Sequence, residues 1–459
     1  MDSSGRFAPT NSVSYSEMRS NSFRRLGVAL LLAGTLVAVG QSAPGPATTT
    51  VGVPDRVNEY ASVASEGAWV ALAWAASSDA TGTNVYAAVS RDGGASFGTP
   101  VRVNAVEKQA RVNGEQPPRI AFIRRDSVRG SGGPAIVVVW SAKGAAGTTL
   151  LSARSGDGGR SFGPSTPVPG SEAAGNRGWE SIAVDPDTGR VYVVWLDHRD
   201  TAAQADGVHA MHQHGAAAAA SASGDGAARA QRSQLFVGSL GADVAARGIA
   251  RGVCYCCKTA ATTGADGTVY VAWRHVYAGN QRDIAFAASR DRGRSFTEPQ
   301  RVSQDAWQLD GCPENGPSLA VGSGGRVFVL WPTLVKASGA ETLRLFLSST
   351  TDGARFTPRA PLPAAGAAYH PQLVTAGDGT LLAAWDEVVT GAPRRVRLAR
   401  GRPDGSGQTR FDVLDLGPDT EGSYPVLAVT ADHVVIAWTM RGASAKPLRV
   451  LRLPLSVRS

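Results

Sequence analysis

The chain has 459 residues, a formal net charge of +8, 54 glycines and only 18% charged residues. Its arginines are scattered through turn-like segments and are not clustered with aromatic residues, which argues against a nucleic-acid partner. The composition favours an all-β protein with many tight turns, and the length allows one large repeat architecture.

Residues 1–50 are predicted to be an export signal and a linker. Arg24 and Arg25 precede an apolar run at 26–39, which is too short for a comfortable membrane span and has the layout of a signal peptide. Cleavage is expected near Gly40 or Ala43. We therefore expect a periplasmic or secreted monomer with no membrane span after signal removal. The general secretory and twin-arginine routes both stay open.

From residue 51 onward the chain repeats an apolar strand that ends in tryptophan. Seven such strands occur at intervals of 53 to 78 residues, ending at Trp74, Trp140, Trp195, Trp273, Trp331, Trp385 and Trp438. Each unit also contains three further strand-like segments. A period of this size with four strands is typical of a propeller blade. The sequence therefore predicts a single seven-bladed β-propeller over residues 51–459.

A second repeat, Ser-x-Asp-x-Gly-x-Ser-Phe, follows the third predicted strand of several units. It occurs at residues 90–97, 155–162 and 289–296, with a shorter copy at 350–356. A turn aspartate can accept backbone N–H bonds, and the glycine two residues later can adopt positive φ. Structural roles in turns, not catalytic ones, are therefore predicted for Asp92, Asp157, Asp291 and Asp352.

This repeat resembles the Asp box, or BNR repeat, of the sialidase-like β-propeller superfamily, and the chain is similar to a bacterial exported member. The resemblance implies a propeller fold. Sialidases proper have six blades, so a six-bladed propeller is the alternative to the seven that the tryptophan strands indicate. Asp-box propellers include glycosidases and proteins with no enzymatic role, and the fold does not fix the chemistry. Whether the chain is an enzyme is left open.

Two departures from a plain repeat carry further predictions. Residues 53–57 resemble the fourth strand of a unit, and we expect this N-terminal strand to complete the last blade. The long interval between Trp195 and Trp273 predicts a low-complexity insert at about 197–232, interpreted as a mobile surface loop. Its histidines and methionine leave a metal-scavenging arm as the alternative.

The resemblance also implies a catalytic constellation. Sialidases clamp the substrate carboxylate with three arginines, use a tyrosine nucleophile primed by a glutamate, and employ a separate aspartate as acid/base. A planar guanidinium suits a carboxylate. By resemblance the nucleophile pair is Tyr424 with Glu314, and the acid is Asp197. The clamp is assigned to Arg119, Arg274 and Arg395, although Arg119 follows the first Asp box instead of preceding it. An exo-α-sialidase is therefore the alternative function.

All four cysteines fall on the entering loops of blades four and five, at Cys254, Cys256, Cys257 and Cys312. These loops are neighbours in a propeller, so we expect one cluster at the channel mouth. Two disulfides suit an exported protein. A metal site is the alternative, with His198, His275 or His370 as further ligands and copper or another soft metal as cofactor. Reactive thiols remain a third possibility.

The preferred prediction is an exported binding or metal-associated propeller with a cysteine- and histidine-rich channel mouth. A glycan or a protein is the expected ligand class there. The ligand itself cannot be named from the residues.

Overall fold

The computed structural model describes residues 47–459 apart from 124–132, 205–225, 242, 310, 312, 338–339, 404–407, 442–445 and 456–459. The predicted export signal, Cys312 and most of the predicted insert therefore lie outside the described residues. Within the described part of the chain, no helix is long and apolar enough to cross a membrane.

The described elements are almost all strands, and they group into blades of four. Blade 1 contains β2 (Val57–Glu66), β3 (Trp69–Ser78), β4 (Gly82–Ser90) and β5 (Val101–Arg102). Blade 2 contains β6 (Arg119–Ile123), β7 (Ala135–Gly144), β8 (Gly147–Ser155) and β9 (Thr166–Pro167). Blade 3 contains β10 (Arg177–Val184), β11 (Val191–Asp197), β12 (Gln234–Ser239) and β13 (Arg247–Arg251).

The remaining four blades follow the same order. Blade 4 contains β14 (Ala260–Thr263), β15 (Val269–Tyr277), β16 (Gln281–Ser289) and β17 (Gln300–Arg301). Blade 5 contains β18 (Ser318–Val321), β19 (Val327–Ala337), β20 (Ala340–Thr350) and β21 (Ala360–Pro361). Blade 6 contains β22 (Ala367–Thr375), β23 (Leu381–Val388), β24 (Arg395–Pro403) and β25 (Thr409–Val413). Blade 7 contains β26 (Ser423–Val429), β27 (His433–Thr439), β28 (Leu448–Pro454) and β1 (Ala47–Val51). The helices are α1 (Gly226–Arg232) and short 3-10 turns at Arg199–Gln204, Ala278–Asn280 and Ser323–Gly325.

Seven separate four-stranded antiparallel sheets confirm the predicted seven-bladed propeller. In six blades the strands pair in sequence order, while in blade 7 the N-terminal β1 pairs with β28. An N-terminal strand therefore closes the ring, as expected, but its predicted position at 53–57 was wrong. Those residues connect β1 to β2: Asp55 has φ 57°, and the Asn58 side chain bonds the backbone N–H and carbonyl of Val53.

The core lies between neighbouring blades. The seven tryptophans are at most 1% exposed. Trp74 packs with Val435 of blade 7, whereas Ala73, which points to the other face of β3, packs with Trp140 of blade 2. Because each second strand is buried on both faces, its sequence is continuously apolar and does not alternate. Polar residues follow most of the tryptophans by one or two positions, as at Asp197, Arg274 and Asp386, towards the end of the strand.

Candidate functional site at the channel mouth

On one face of the propeller, the Asp boxes close the turns between third and fourth strands. In blade 2 the Ser155 hydroxyl donates to Asp157 Oδ1 (2.8 Å), Gly159 N donates to Ser155 Oγ (2.8 Å), and the Ser161 hydroxyl donates to Asp157 Oδ2 (2.6 Å). Burial opposes ionisation, but hydrogen bonds from Ser161 and Ser155 outweigh it and lower the pKa of Asp157 to about 2. These contacts hold the turn.

The same hydrogen bonds recur in the other copies of the motif. The equivalent serine-to-aspartate bonds are 2.7 Å at Asp92 and 2.7 Å at Asp291. In the shorter copy, Thr350 donates to Asp352 over 3.1 Å. The carboxylates of all four motifs therefore accept bonds from their own turns.

On the opposite face, the inner strands carry an unusual backbone. Tyr60, Trp179, His370 and Tyr424 all have φ between 50° and 56°. Each lies where the register between the first and second strands of its blade shifts, which is a β-bulge. Glu314, before the first strand of blade 5, has φ 46°. Left-handed backbone is costly for residues with a Cβ, and such strain is concentrated at functional sites.

Three of these bulges, at Tyr60, His370 and Tyr424, line a small pocket together with Arg119 and Lys258. The free volume of this pocket is only about 10 Å³, which is room for roughly one water molecule. A neighbouring cavity of about 230 Å³ is lined by the inner strands, and Arg119 and Lys258 line both spaces. Side chains from five blades therefore meet at the pocket.

His370 is held by a buried carboxylate. Its Nδ1 lies 2.7 Å from Asp386 Oδ1, and Asp386 also accepts from Tyr424 N (3.1 Å) and from Arg394. Burial would raise the pKa of Asp386, but His370 and Arg394 together lower it. An ionised carboxylate only accepts, so Nδ1 carries a proton. The His370 ring packs 3.9 Å from that of Tyr424.

Glu115 connects three blades at the mouth. Its Oε2 accepts from Lys258 N (2.9 Å) and from Gly316 N (3.1 Å), so a carboxylate preceding blade 2 binds the entering loops of blades 4 and 5. Lys258 Nζ donates to the Pro371 carbonyl (3.3 Å), and burial lowers the pKa of Lys258 to about 8. A Cβ on Gly316 would lie 2.1 Å from the Lys258 carbonyl oxygen, so this contact requires glycine.

The charged side chains that line the pocket are basic, at Arg119 and Lys258. Arg119 Nε donates to the Glu180 carbonyl (2.6 Å), and its buried Nη2 has no hydrogen-bond partner among the described residues. Burial, together with repulsion from Glu59 and Glu314, raises the pKa of Tyr60 to about 12. Burial and then Glu115 raise the pKa of Tyr424 as well. Both tyrosines therefore keep their hydroxyl protons at neutral pH.

The cysteines on the entering loop of blade 4 form a compact cluster. Cys254 Sγ lies 3.7 Å from Cys257 Sγ and 3.8 Å from Cys256 Sγ, and all three sulfurs lie within 4.8 Å of one another. Each residue is at most 5% exposed. Cys254 and Cys257 are free thiols, whereas Cys256 is disulfide-bonded. The partner of Cys256 is not among the described residues.

The two free thiols differ in charge. Cys257 donates to Cys254, and Arg282 Nη1 donates to Cys254 Sγ over 3.1 Å. The bond from Cys257, with Arg282 and Arg274 adding to it, lowers the pKa of Cys254 to about 6 despite burial. Burial raises the pKa of Cys257 well above its usual value. Negative charge is therefore favoured on Cys254, and the proton of the pair is held by Cys257.

The sialidase-like constellation is only partly brought together. Arg119 and Tyr424 line the pocket, and Glu314 is close enough to raise the pKa of Tyr424. Asp197 is buried between Arg177 (3.1 Å) and Arg199 (2.8 Å), which neutralise it.

The other two arginines assigned to the clamp lie elsewhere. Arg274 donates to the carbonyls of Asn315, Pro332 and Arg282. Arg395, at the start of the third strand of blade 6, pairs through its backbone with Glu421 and is not among the residues that line the pocket. Of the three arginines assigned to the clamp, only Arg119 lines the pocket. The structure therefore does not bring the three guanidinium groups together, and the clamp stays a prediction.

Two of the histidines predicted as metal ligands, His198 and His275, lie apart from the cysteine cluster. His198 Nδ1 lies 3.0 Å from Ser233 Oγ, and burial lowers the pKa of His198 to about 4. His275 accepts from Trp273 (3.4 Å), and burial, followed by Arg301, lowers its pKa to about 4. Neither joins the group of three sulfurs within 4.8 Å.

Three mouth residues were not selected from the sequence. Each is defined by a contact on another strand or blade. Glu115 accepts from Lys258 N, Arg394 donates to Asp386, and Asp386 binds His370. A usable signal was present only for Asp386, which directly follows the tryptophan of β23 and therefore lies at the mouth.

No family model and no curated protein sequence matches the chain. Solved structures with a similar fold include the polysaccharide lyase Uly1, at 10% identity and a TM-score of 0.50 over 86% of this chain and 90% of that one. A protein of unknown function from Dyadobacter fermentans is 13% identical, with a TM-score of 0.47 over 90% and 100% of the two chains. The intramolecular trans-sialidase from Ruminococcus gnavus is 11% identical, with a TM-score of 0.41 over 87% and 94%.

At such identities the likeness concerns the fold alone. The seven blades make this chain a β-propeller, as the sequence predicted, and the turns that carry the Asp-box motif are held by its own hydrogen bonds.

Proposed function

We propose that this chain is an exported, metal-associated binding propeller that holds a soft cation at Cys254 and Cys257. The observation that carries the proposal is the pair of buried free thiols, whose sulfurs lie 3.7 Å apart. Two metal–sulfur bonds of about 2.3 Å spanning that distance meet at about 107°, near the tetrahedral angle. Thiolates select soft cations such as copper(I), and also zinc.

Charge favours copper(I) over zinc at this pair. Two thiolates with a monovalent cation carry one net negative charge, which the guanidinium of Arg282 beside Cys254 would stabilise. Two thiolates with zinc would be neutral and would gain less from that arginine.

His198 lies next to the proposed site but outside the group of sulfurs, and its buried Nε2 has no hydrogen-bond partner in the described part of the chain. Its ring packs on Trp179, which also contacts the cysteine cluster. We assign Cys312, the fourth cysteine of the sequence, as the disulfide partner of Cys256. Such a bond would join the entering loops of blades 4 and 5 and suits an exported protein.

The test is a titration of the reduced full-length protein with copper(I) in competition with a chromogenic chelator. The wild type is expected to bind one equivalent, and Cys254→Ser and Cys257→Ser should each lose binding. Ser62→Ala, which alters a cavity residue on the first strand of blade 1, is the matched control. Equal copper binding by the wild type and Cys254→Ser would rule the site out. Fractionation and N-terminal sequencing would test export.

Glycoside cleavage at the mouth is the second candidate. The observation in its favour is that Arg119, Tyr424 and Glu314 lie around one pocket, with the tyrosine held in strained backbone. A fluorogenic sialoside provides the assay. Turnover that Tyr424→Phe abolishes would establish this candidate over the metal-associated one.

A further inference from the structure

We propose that Cys254 and Cys257 form a peroxide-oxidisable dithiol, in which a small peroxide converts the two free thiols into a reversible disulfide. This deepens the proposed function, because the same two sulfurs would then no longer be available to a metal. The oxidation itself does not depend on metal binding.

The spacing and the distance suit disulfide formation. The two residues are the ends of a Cys-x-x-Cys segment, Cys254-Tyr255-Cys256-Cys257. Their sulfurs lie 3.7 Å apart, and a disulfide bond is about 2.05 Å long. Closing the bond therefore requires the sulfurs to approach by less than about 2 Å.

The arrangement distinguishes an attacking sulfur from a resolving one. Arg282 directs Nη1 at Cys254 and is fixed in place, because its Nε donates to the Leu309 carbonyl (2.6 Å). Cys257 donates its own proton towards Cys254. A guanidinium beside a sulfur favours the thiolate, which is the nucleophile in thiol chemistry. Cys254 is thus the attacking residue and Cys257 the resolving residue.

The chemistry balances with hydrogen peroxide as the oxidant. The Cys254 thiolate attacks one peroxide oxygen, the O–O bond breaks, and sulfenic acid and hydroxide are formed. The Cys257 sulfur then attacks the Cys254 sulfur and displaces hydroxide, which leaves as water with the Cys257 proton. The two sulfurs have together lost two electrons, and the peroxide has gained them. A later thiol reductant reverses the step.

Burial explains why a small oxidant is required. Cys254 is 1% exposed and Cys257 is 2% exposed, so the disulfide of another protein would not reach either sulfur. One competing target lies within reach, since Cys256 Sγ is 3.8 Å from Cys254 Sγ. Attack there would exchange the existing disulfide without any net oxidation.

The experiment exposes the metal-free full-length protein, with the disulfide of Cys256 left intact, to hydrogen peroxide. Thiol counting under denaturing conditions and intact mass spectrometry follow the reaction. Two thiols should be lost together with about 2 Da, and dithiothreitol should restore both. Peptide mapping should locate the new bond between Cys254 and Cys257. No loss of thiols, or a new bond between Cys254 and Cys256, would overturn the proposal.

Variants separate the roles of the two sulfurs. Cys257→Ser should form a sulfenic acid at Cys254 that dimedone captures, whereas Cys254→Ser should not react at a comparable rate. Arg282→Met should slow the reaction about tenfold or more, with exposed Arg410→Met as its control. A Cys254→Ser protein that reacts as fast as Cys257→Ser would contradict the assignment.

The copper titration distinguishes this inference from the proposed function. Reduced protein that oxidises as expected but binds no copper(I) would leave the dithiol standing and defeat the metal site. Protein that binds copper(I) but keeps both thiols in peroxide would defeat the dithiol alone. Oxidised protein that still binds copper(I) as tightly as the reduced form would refute the link between them.

Discussion

The two faces of the propeller use positive φ in different kinds of residue. On the Asp-box face the residues with positive φ are mainly glycines, such as Gly94 (φ 89°), Gly159 (φ 84°) and Gly293 (φ 86°). At the mouth it belongs to large side chains, namely Tyr60, Trp179, His370 and Tyr424. The third Asp box adds one exception, Arg292 (58°), whose guanidinium pairs with Asp185 and Asp187.

The difference separates folding requirements from functional ones. Glycine adopts left-handed backbone without a Cβ clash, so the Asp-box turns are obtained at little steric cost. The mouth residues bear that cost, on the order of 1–2 kcal/mol each, and a glycine would relieve it. Keeping an aromatic or imidazole ring there indicates that the side chain itself is needed at the mouth.

Asp386→Asn should produce the largest loss of stability. The buried carboxylate accepts from His370, Tyr424 N and Arg394, and the amide would leave Arg394 without its charge partner. Breaking a buried ion pair costs about 3–5 kcal/mol, so we expect a loss of that order in urea unfolding. Asp412→Asn, at an exposed pair 3.9 Å from Arg410, should change little. Equal effects of the two substitutions would contradict the importance given to the mouth.

Gly159→Ala should destabilise the Asp-box face by about 2–4 kcal/mol, since it combines left-handed strain with overpacking. The new Cβ would lie 2.4 Å from Val89 Cγ2 at φ 84°. Gly156→Ala, in the same turn, is the matched control because no atom lies within 4 Å of its Cβ position. Thermal unfolding of both variants measures the difference. Similar melting temperatures would show that this turn tolerates a side chain.

Asp157→Ala should cost about 1–2 kcal/mol, by analogy with lost helix caps, and should leave ligand binding at the mouth unchanged. Because the folded pKa of Asp157 is depressed to about 2, its contribution is fully present above the unfolded value near 3.9. The contribution is lost as the pH falls towards 2. Urea unfolding of the wild type and Asp157→Asn should therefore differ at pH 6 and converge between pH 4 and 2. Normal stability with lost binding would reverse the roles of the two faces.

Replacing Tyr60 should give the smallest effect and the most direct test of the comparison. Tyr60→Gly is expected to be more stable than Tyr60→Ala by about 1 kcal/mol, because glycine relieves the strain at φ 56° and alanine does not. At position 159 glycine is the native residue and the turn needs it. At position 60 glycine would be more stable than alanine, although the native residue is tyrosine. An alanine variant as stable as the glycine variant would show that the bulge is not strained.

The sequence by itself determined the repeat architecture, because the signals for it are local. An apolar strand ending in tryptophan and an Asp box both depend on neighbouring residues, and their period predicted seven blades. The closing strand was expected in kind but misplaced: residues 47–51 hold three threonines and a valine, whereas 53–57 contain Pro54 and Asp55, which strands disfavour, and it is 47–51 that pairs with β28. Topology also predicted that the loops bearing Tyr424, Glu314 and Cys254 face the mouth.

Only the tertiary structure decided which candidate residues are free to contact a ligand and which are already bound to other groups of the protein. Asp197 forms an ion pair with Arg177, 20 residues earlier in the chain, and the Arg274 guanidinium donates its hydrogen bonds to the carbonyls of Asn315 and Pro332. Conversely, Glu115 reaches Lys258, 143 residues away. Hydrogen bonds between blades depend on where the ring places each side chain. Sequence spacing carries no record of these partners, because the channel brings residues together from blades that are distant along the chain.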